Sequence, residues 1–142
     1  MSTVKQVLDS KDHNIWHISP KETVFEAIQL MADKRIGALL VMNAGQMVGI
    51  ISERDYAREV ILKGRASKDT NVEDIMTRQV VTASPTERVR DALGLMTNHR
   101  IRHLPILENE HVVGIVSIGD LVQEMINEQQ QTIEQLENYI RG

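Results

Sequence analysis

The sequence predicts an α+β protein built from two copies of one strand-helix-strand-strand-helix unit, related by a pseudo-twofold axis and packed through their sheets. Three observations predict it. Shifted by 65 positions the chain matches itself without a gap, with 17 identical residues in the 43 pairs between 19–61 and 84–126. Each copy carries one stretch of 3.6-residue apolar rhythm and then two short apolar runs joined by a turn. One copy is also shorter than the roughly 50–60 residues at which isolated domains become comfortable, so two copies sharing an apolar face are expected.

The elements follow in the same order in each copy. A leading extended piece, 15–18 and 80–83, runs into Ser19-Pro20 and Ser84-Pro85. Proline presets φ and serine can cap, so a helix is expected to begin at each dipeptide. Val24, Ala27, Ile28, Leu30 and Met31 form one helix face, repeated by Val89, Ala92, Leu93, Leu95 and Met96. Strands are predicted over 38–42 and 47–52, matched by 103–107 and 112–117. Asn43-Ala44-Gly45 and Glu108-Asn109-Glu110 supply the turns. Second helices start near Glu53 and Ile118. The polar, aperiodic stretch 63–71 reads as a linker. A short helix over 72–76 is packed by Val72, Ile75 and Met76, and Val4, Val7 and Leu8 give the same signal before the first copy. The predicted organisation is 1–65 for the first unit with its N-terminal helix, 66–126 for the second with the linker, and 127–142 for a helical tail.

Composition narrows the function classes. Hydrophobic residues make up 42% of the chain and charged ones 25%, an ordinary globular balance. With one Trp, two Tyr and one Phe the core must be aliphatic. A net charge of −4 argues against broad nucleic-acid binding but leaves room for a local basic patch holding one small anion. The chain has no cysteine, hence neither disulfides nor a thiolate nucleophile. No early stretch resembles a signal peptide, the apolar runs are too short to span a bilayer, and a cytoplasmic location is expected. Walker-type and GxGxxG glycine loops, HExxH and a nucleophile elbow are all missing, so catalysis has no support and no catalytic cofactor is expected. The five histidines are scattered without a helical i, i+4 pair, which disfavours zinc.

Three stretches, VEDIMTRQVVTASP (72–85), HRIRHLPIL (99–107) and the paired GIISERD (49–55) and GIVSIGD (114–120), resemble the cystathionine-β-synthase (CBS) domain family over essentially residues 1–127. The resemblance implies a tandem CBS pair, or Bateman module, similar in pattern to the gamma subunit of AMP-activated protein kinase and to small stand-alone bacterial CBS pairs. In that family the clefts between units hold adenosyl compounds such as AMP, ADP, ATP, NAD(H) or S-adenosylmethionine. A homodimer is implied as well.

The signature is a hydroxyl residue at the end of the last strand with Asp three residues on: Ser52 with Asp55, and Ser117 with Asp120. A carboxylate can accept both hydroxyls of a ribose, while the serine and the helix N-terminal N–H groups suit a phosphate or ribose oxygen. The same spacing is also an ordinary helix cap. The copies differ at one telling place: Arg102-His103 stands where the first copy has Gly37-Ala38. The resemblance implies that this basic pair contacts phosphate of the ligand held by Ser52 and Asp55, with Arg54 as a third cation. The kinase-like order is His then Arg, reversed here. Ser117 and Asp120 would pair with the backbone of Ile36, Gly37 and Ala38 in a weaker second site. Ile15 with Trp16, and Val80 with Val81, would line the adenine pockets, and Thr77 would give the first site a polar contact. Trp16 is open to two readings, stacking on adenine or packing in the core.

Beyond 127 the last helix is expected to continue to about Ile140. Leu121, Val122, Met125, Ile126, Ile133, Leu136 and Ile140 make a stripe of mixed three- and four-residue steps, interrupted by Gln129-Gln130-Gln131. The function expected is a regulatory sensor of adenine nucleotides that signals to an unidentified partner protein, without nucleic-acid or membrane partners. The alternative is a ligand-free structural dimerisation or interaction module.

Overall fold

The computed structural model describes residues 1–142. In the first repeat, strand β1 (His17–Ile18) pairs parallel with β2 (Ala38–Asn43), which pairs antiparallel with β3 (Gln46–Ser52). Ala44 and Gly45 join the hairpin with φ of 52° and 78°, the two left-handed residues that a tight hairpin turn requires. Helix α2 (Val24–Lys34) lays Val24, Ala27 and Met31 onto Leu39, Val41 and Ile51, and Ile18, Val60, Val72, Ile75 and Met76 complete this core. Helix α3 (Glu53–Tyr56) continues into a π-helical turn, Ala57–Ile61. A 3-10 turn (Ser67–Asp69) and helix α4 (Val72–Ile75) return to the start of α2. There Val72 N–H donates to Glu22 O at 2.8 Å, and Val24 N–H to Thr70 O at 2.8 Å.

The second repeat has the same plan. Helix α5 (Val89–His99) backs the hairpin of β4 (His103–Glu108) and β5 (His111–Ser117), and α6 (Ile118–Arg141) follows directly. Its leading strand is reduced to a single parallel bridge, Ala83 to Ile106. Helix α1 (Val4–Asp9) contributes Val4 and Val7 to a core with Val89, Ala92, Met96, Leu104, Ile106, Val116 and Leu121.

One of the two compact units takes residues from both ends of the sequence. One unit is Ile15–Val80, and the other joins Met1–Asn14 to Val81–Gly142. The reason lies in β3 and β5. Each carries a buried glycine where a side chain would collide with the short helix: a Cβ on Gly114 would meet Leu8 Cδ2 at 2.5 Å, and one on Gly49 would meet Met76 Sδ at 2.7 Å. Helix α1 thus completes the second repeat and α4 the first. The expected helix starts are corrected. Ser19-Pro20 and Ser84-Pro85 form turns, closed by Glu22 N–H to Ser19 O at 3.2 Å and Glu87 N–H to Ser84 O at 3.1 Å. Proline at the second turn position explains both turns. Helix α2 begins later, capped by Thr23, whose hydroxyl accepts from Glu26 N–H. Arg88 occupies the corresponding position of α5 without a side-chain cap.

Candidate functional site

Both Ser-x-x-Asp turns sit where the last strand of a repeat becomes a helix, and both are complete capping boxes. In the first, Asp55 Oδ2 accepts from Ser52 N–H at 2.9 Å and from Ser52 Oγ at 3.1 Å, while Asp55 N–H donates to Ser52 Oγ at 3.2 Å. In the second, Asp120 Oδ2 accepts from Ser117 N–H at 2.9 Å and Asp120 N–H donates to Ser117 Oγ at 3.1 Å. The antiparallel registers fix what lies beside each serine: Ala38 opposite Ser52, and His103 opposite Ser117. Gly37 O accepts from Glu53 N–H at 3.1 Å, and Arg102 O accepts from Ile118 N–H at 3.0 Å. The residues singled out by the repeat comparison, Gly37-Ala38 and Arg102-His103, are therefore built into the floor of their own Ser-x-x-Asp turn.

The two carboxylates are held differently. Burial pushes the Asp55 carboxyl above its usual range, only partly offset by the Ser52 N–H, the hydroxyls of Ser52 and Thr77, and the charge of Arg58. Thr77 reaches this position because it bridges β3, exchanging backbone bonds with Ile50 at 3.0 and 2.8 Å. At Asp120 burial also opposes ionisation, but there it is outweighed. The Lys11 hydrogen bond, the Ser117 N–H, the Lys11 charge and the Ser117 hydroxyl together hold its carboxyl below the usual range. Lys11 Nζ stands 2.6 Å from Asp120 Oδ2 and donates to Ile115 O at 2.9 Å.

Sequence reasoning missed Lys11. The signal was available in the pairing of α1 with α4, since Leu8 and Met76 play one role and each is followed by a polar segment that reaches the aspartate of its own unit. Thr77 follows Met76 as the segment bearing Lys11 follows Leu8.

His103 is half-buried, and burial above all holds its imidazole below the usual range. Asp120 pulls the other way, while Lys11 and Arg102 add to the depression. Burial thus favours the neutral imidazole of His103, which offers hydrogen bonds rather than charge. Arg102 is exposed, Arg54 is half-buried on α3 beside Asp55, and Ile36 and Gly37 are half-buried at the entry to β2. Ile36 and Gly37 border a depression of about 440 Å³ shared with Arg35, Glu53 and Tyr56. Ile15 and Val80 are half-buried at the two ends of the first unit's segment. Trp16 packs against the first core, and Lys34 Nζ lies 4.3 Å from its ring centroid, which covers one face of the indole. No three His, Asp or Glu side chains gather as a metal site, and no helix is long and apolar enough to cross a membrane.

With this geometry established, comparison with known proteins is informative. The CBS domain model matches twice, over residues 4–62 and 72–127. The mitochondrial CBS domain-containing protein CBSX3 of Arabidopsis thaliana is 38% identical over 99% of this chain and 73% of its own length. A protein with CBS domains from Burkholderia ambifaria superposes with a TM-score of 0.87 at 45% identity, covering 90% of this chain and 96% of that one. The CBS domain pair of protein MJ0100, solved with 5′-methylthioadenosine and S-adenosyl-L-methionine, superposes with a TM-score of 0.77 at 28% identity, covering 90% and 98%.

Proposed function

The chain belongs to the CBS domain family, and from that premise we propose that it is a regulatory module without chemistry of its own, binding adenine nucleotides (AMP, ADP, ATP or NAD) at its two Ser-x-x-Asp turns. The observation that carries this reading is Asp55. A carboxyl held above its usual range by burial is costly for the fold alone and is suited to a partner that brings two hydroxyl donors, as a ribose does. The 5′-methylthioadenosine and S-adenosyl-L-methionine bound by the MJ0100 pair share the adenosine moiety of these nucleotides. Arg102 is assigned to ligand phosphate, Arg54 assists at the Asp55 turn, and Ile15 and Val80 border the adenine. Ligand binding shifts the module between two packings, which a regulated protein reads as a difference in affinity. The reading includes a cytoplasmic location.

Calorimetric titration with AMP, ATP, NAD, NADH and S-adenosylmethionine tests it. Binding of at least one, lost in Asp55→Ala, is expected. Arg102→Ala should weaken AMP more than adenosine, and equal losses would remove its assigned role. If none of the ligands binds, the ligand-free interaction module stands.

A homodimer forms part of the same proposal, and α6 supports it. Val122, Ile126, Gln129, Ile133, Leu136 and Ile140 recur at steps of four, three, four, three and four, a heptad seam with isoleucine at one core position. The apolar members are 40–82% exposed within the single chain. Together they offer roughly 500 Å² per helix, so a pair of seams approaches the ~1,000 Å² of a specific interface. Gln129 then sits in the seam as the polar residue that fixes register, rather than as an interruption.

A further inference from the structure

We propose that Lys11 is a specificity-determining residue of the Asp120 site: its ammonium occupies the carboxylate until a ligand offers a phosphate in exchange, so that this site takes phosphorylated adenosyl ligands and rejects neutral ones. The inference rests on the nucleotide-binding reading above and deepens it.

The geometry is specific. Lys11 Nζ bonds Asp120 Oδ2 at 2.6 Å, the same oxygen that accepts the Ser117 N–H, and its second bond runs to Ile115 O at 2.9 Å. Both side chains are about one-third exposed or less, 31% for Lys11 and 28% for Asp120, so the pair is partly shielded yet reachable. Lys11 is not a loose surface lysine. It follows α1, which is anchored by Val4 and Val7 in the core and by Leu8 against Gly114, and Lys11 N–H donates to Leu8 O at 3.2 Å.

A ribose diol that approaches Asp120 competes with an ammonium for one carboxylate. A neutral nucleoside leaves the displaced ammonium without a counter-charge in a partly dry site, which is costly. A nucleotide supplies a phosphate for it, and the exchange then conserves charge pairing. The Arg102 guanidinium adds to the positive field around this turn, since it, like Lys11, disfavours protonation of His103. A cationic adenosyl compound meets the same field and is disfavoured further. The Asp55 turn is bonded by the hydroxyls of Ser52 and Thr77, and a diol can replace hydroxyls without stranding a charge.

The test uses the full chain carrying Asp55→Asn, which isolates the second turn, with and without Lys11→Met, titrated with AMP and with adenosine. With Lys11 present, AMP should bind more tightly than adenosine. With Lys11→Met, adenosine should gain about tenfold and AMP should lose affinity, so the preference collapses. Lys11→Gln should behave the same way, which guards against a folding defect peculiar to one variant. A preference unchanged by both substitutions overturns the role of Lys11 while leaving nucleotide binding intact. No binding of either ligand by the wild-type chain overturns both. A ligand-free readout accompanies the titration: carboxyl NMR of Asp120 should show its pKa rising in Lys11→Met, and an unmoved value would refute the contact itself.

Discussion

Two capping boxes with near-identical backbone geometry should respond in opposite ways to loss of their carboxylate charge. Asp55→Asn and Asp120→Asn both keep an acceptor oxygen for the serine N–H, so the comparison isolates charge. At Asp120 the charge is stabilised by Lys11 at 2.6 Å and by the N-terminus of a 24-residue helix. A partly buried pair contributes up to about 1 kcal/mol and a helix-end charge about 0.3–1. Asp120→Asn should therefore cost about 1–2 kcal/mol at pH 7, a fall in Tm of roughly 2–6 °C for a chain of this size. At Asp55 burial opposes the charge, and no lysine pairs with it to compensate. Asp55→Asn should be neutral, or stabilising by at most about 1 kcal/mol.

The pH dependence follows from the signs. Folding lowers the Asp120 pKa, so its contribution is present above the ordinary carboxylate value near pH 4 and is lost as pH falls through its own lower value. Folding raises the Asp55 pKa, so its contribution is present below that ordinary value and lost as pH rises through its own higher one. Both mutant–wild-type differences should therefore be largest at pH 7 and shrink in acid. Urea unfolding followed by circular dichroism from pH 7 to pH 3 measures them. Equal losses for the two variants at pH 7 would refute the reasoning and leave both aspartates as simple caps.

Three further outcomes are expected. Gly49→Ala should destabilise by about 1–3 kcal/mol, because its Cβ would meet Thr77 O at 2.8 Å as well as Met76 Sδ. Gly114→Ala should cost less, since only the flexible end of Leu8 must yield, and thermal unfolding of the two variants ranks them. His103 should titrate below the usual histidine range by proton NMR and move upward in Lys11→Met, because a repelling charge is removed while Asp120 remains. Ending the chain after Glu128, which keeps the contacts of that half-buried residue with Met1 and Ser2, should convert dimer to monomer in light scattering with little change in the fold, since the removed residues are exposed on α6; a dimer that survives the truncation places the interface elsewhere.

Much of this molecule is local, and local features are legible in one sequence. The gapless repeat, the buried faces of α2 and α5 and both hairpins follow from periodicities of two and 3.6 and from turn residues a few positions apart. The four hairpin strands lie within a residue of expectation for the same reason. Reading helix starts from Ser-Pro failed because proline fits the second position of a turn as well as the first turn of a helix. Thr23, which has a hydroxyl to offer the free N–H of Glu26, made the actual cap.

What the tertiary structure decided is non-local. The apolar pattern of α1 shows that it packs, but its partner is set by which hairpin leaves a glycine-sized gap for Leu8, and that hairpin lies more than a hundred residues away. The two Ser-x-x-Asp turns read alike in sequence, with their difference expected at Arg102-His103 and Gly37-Ala38. The difference in charge state arises from residues outside both motifs: Thr77 beside Asp55, and Lys11 on Asp120 across 109 positions. An aspartate's pKa depends on what folding brings within a few ångströms of it, and no spacing along the chain encodes that.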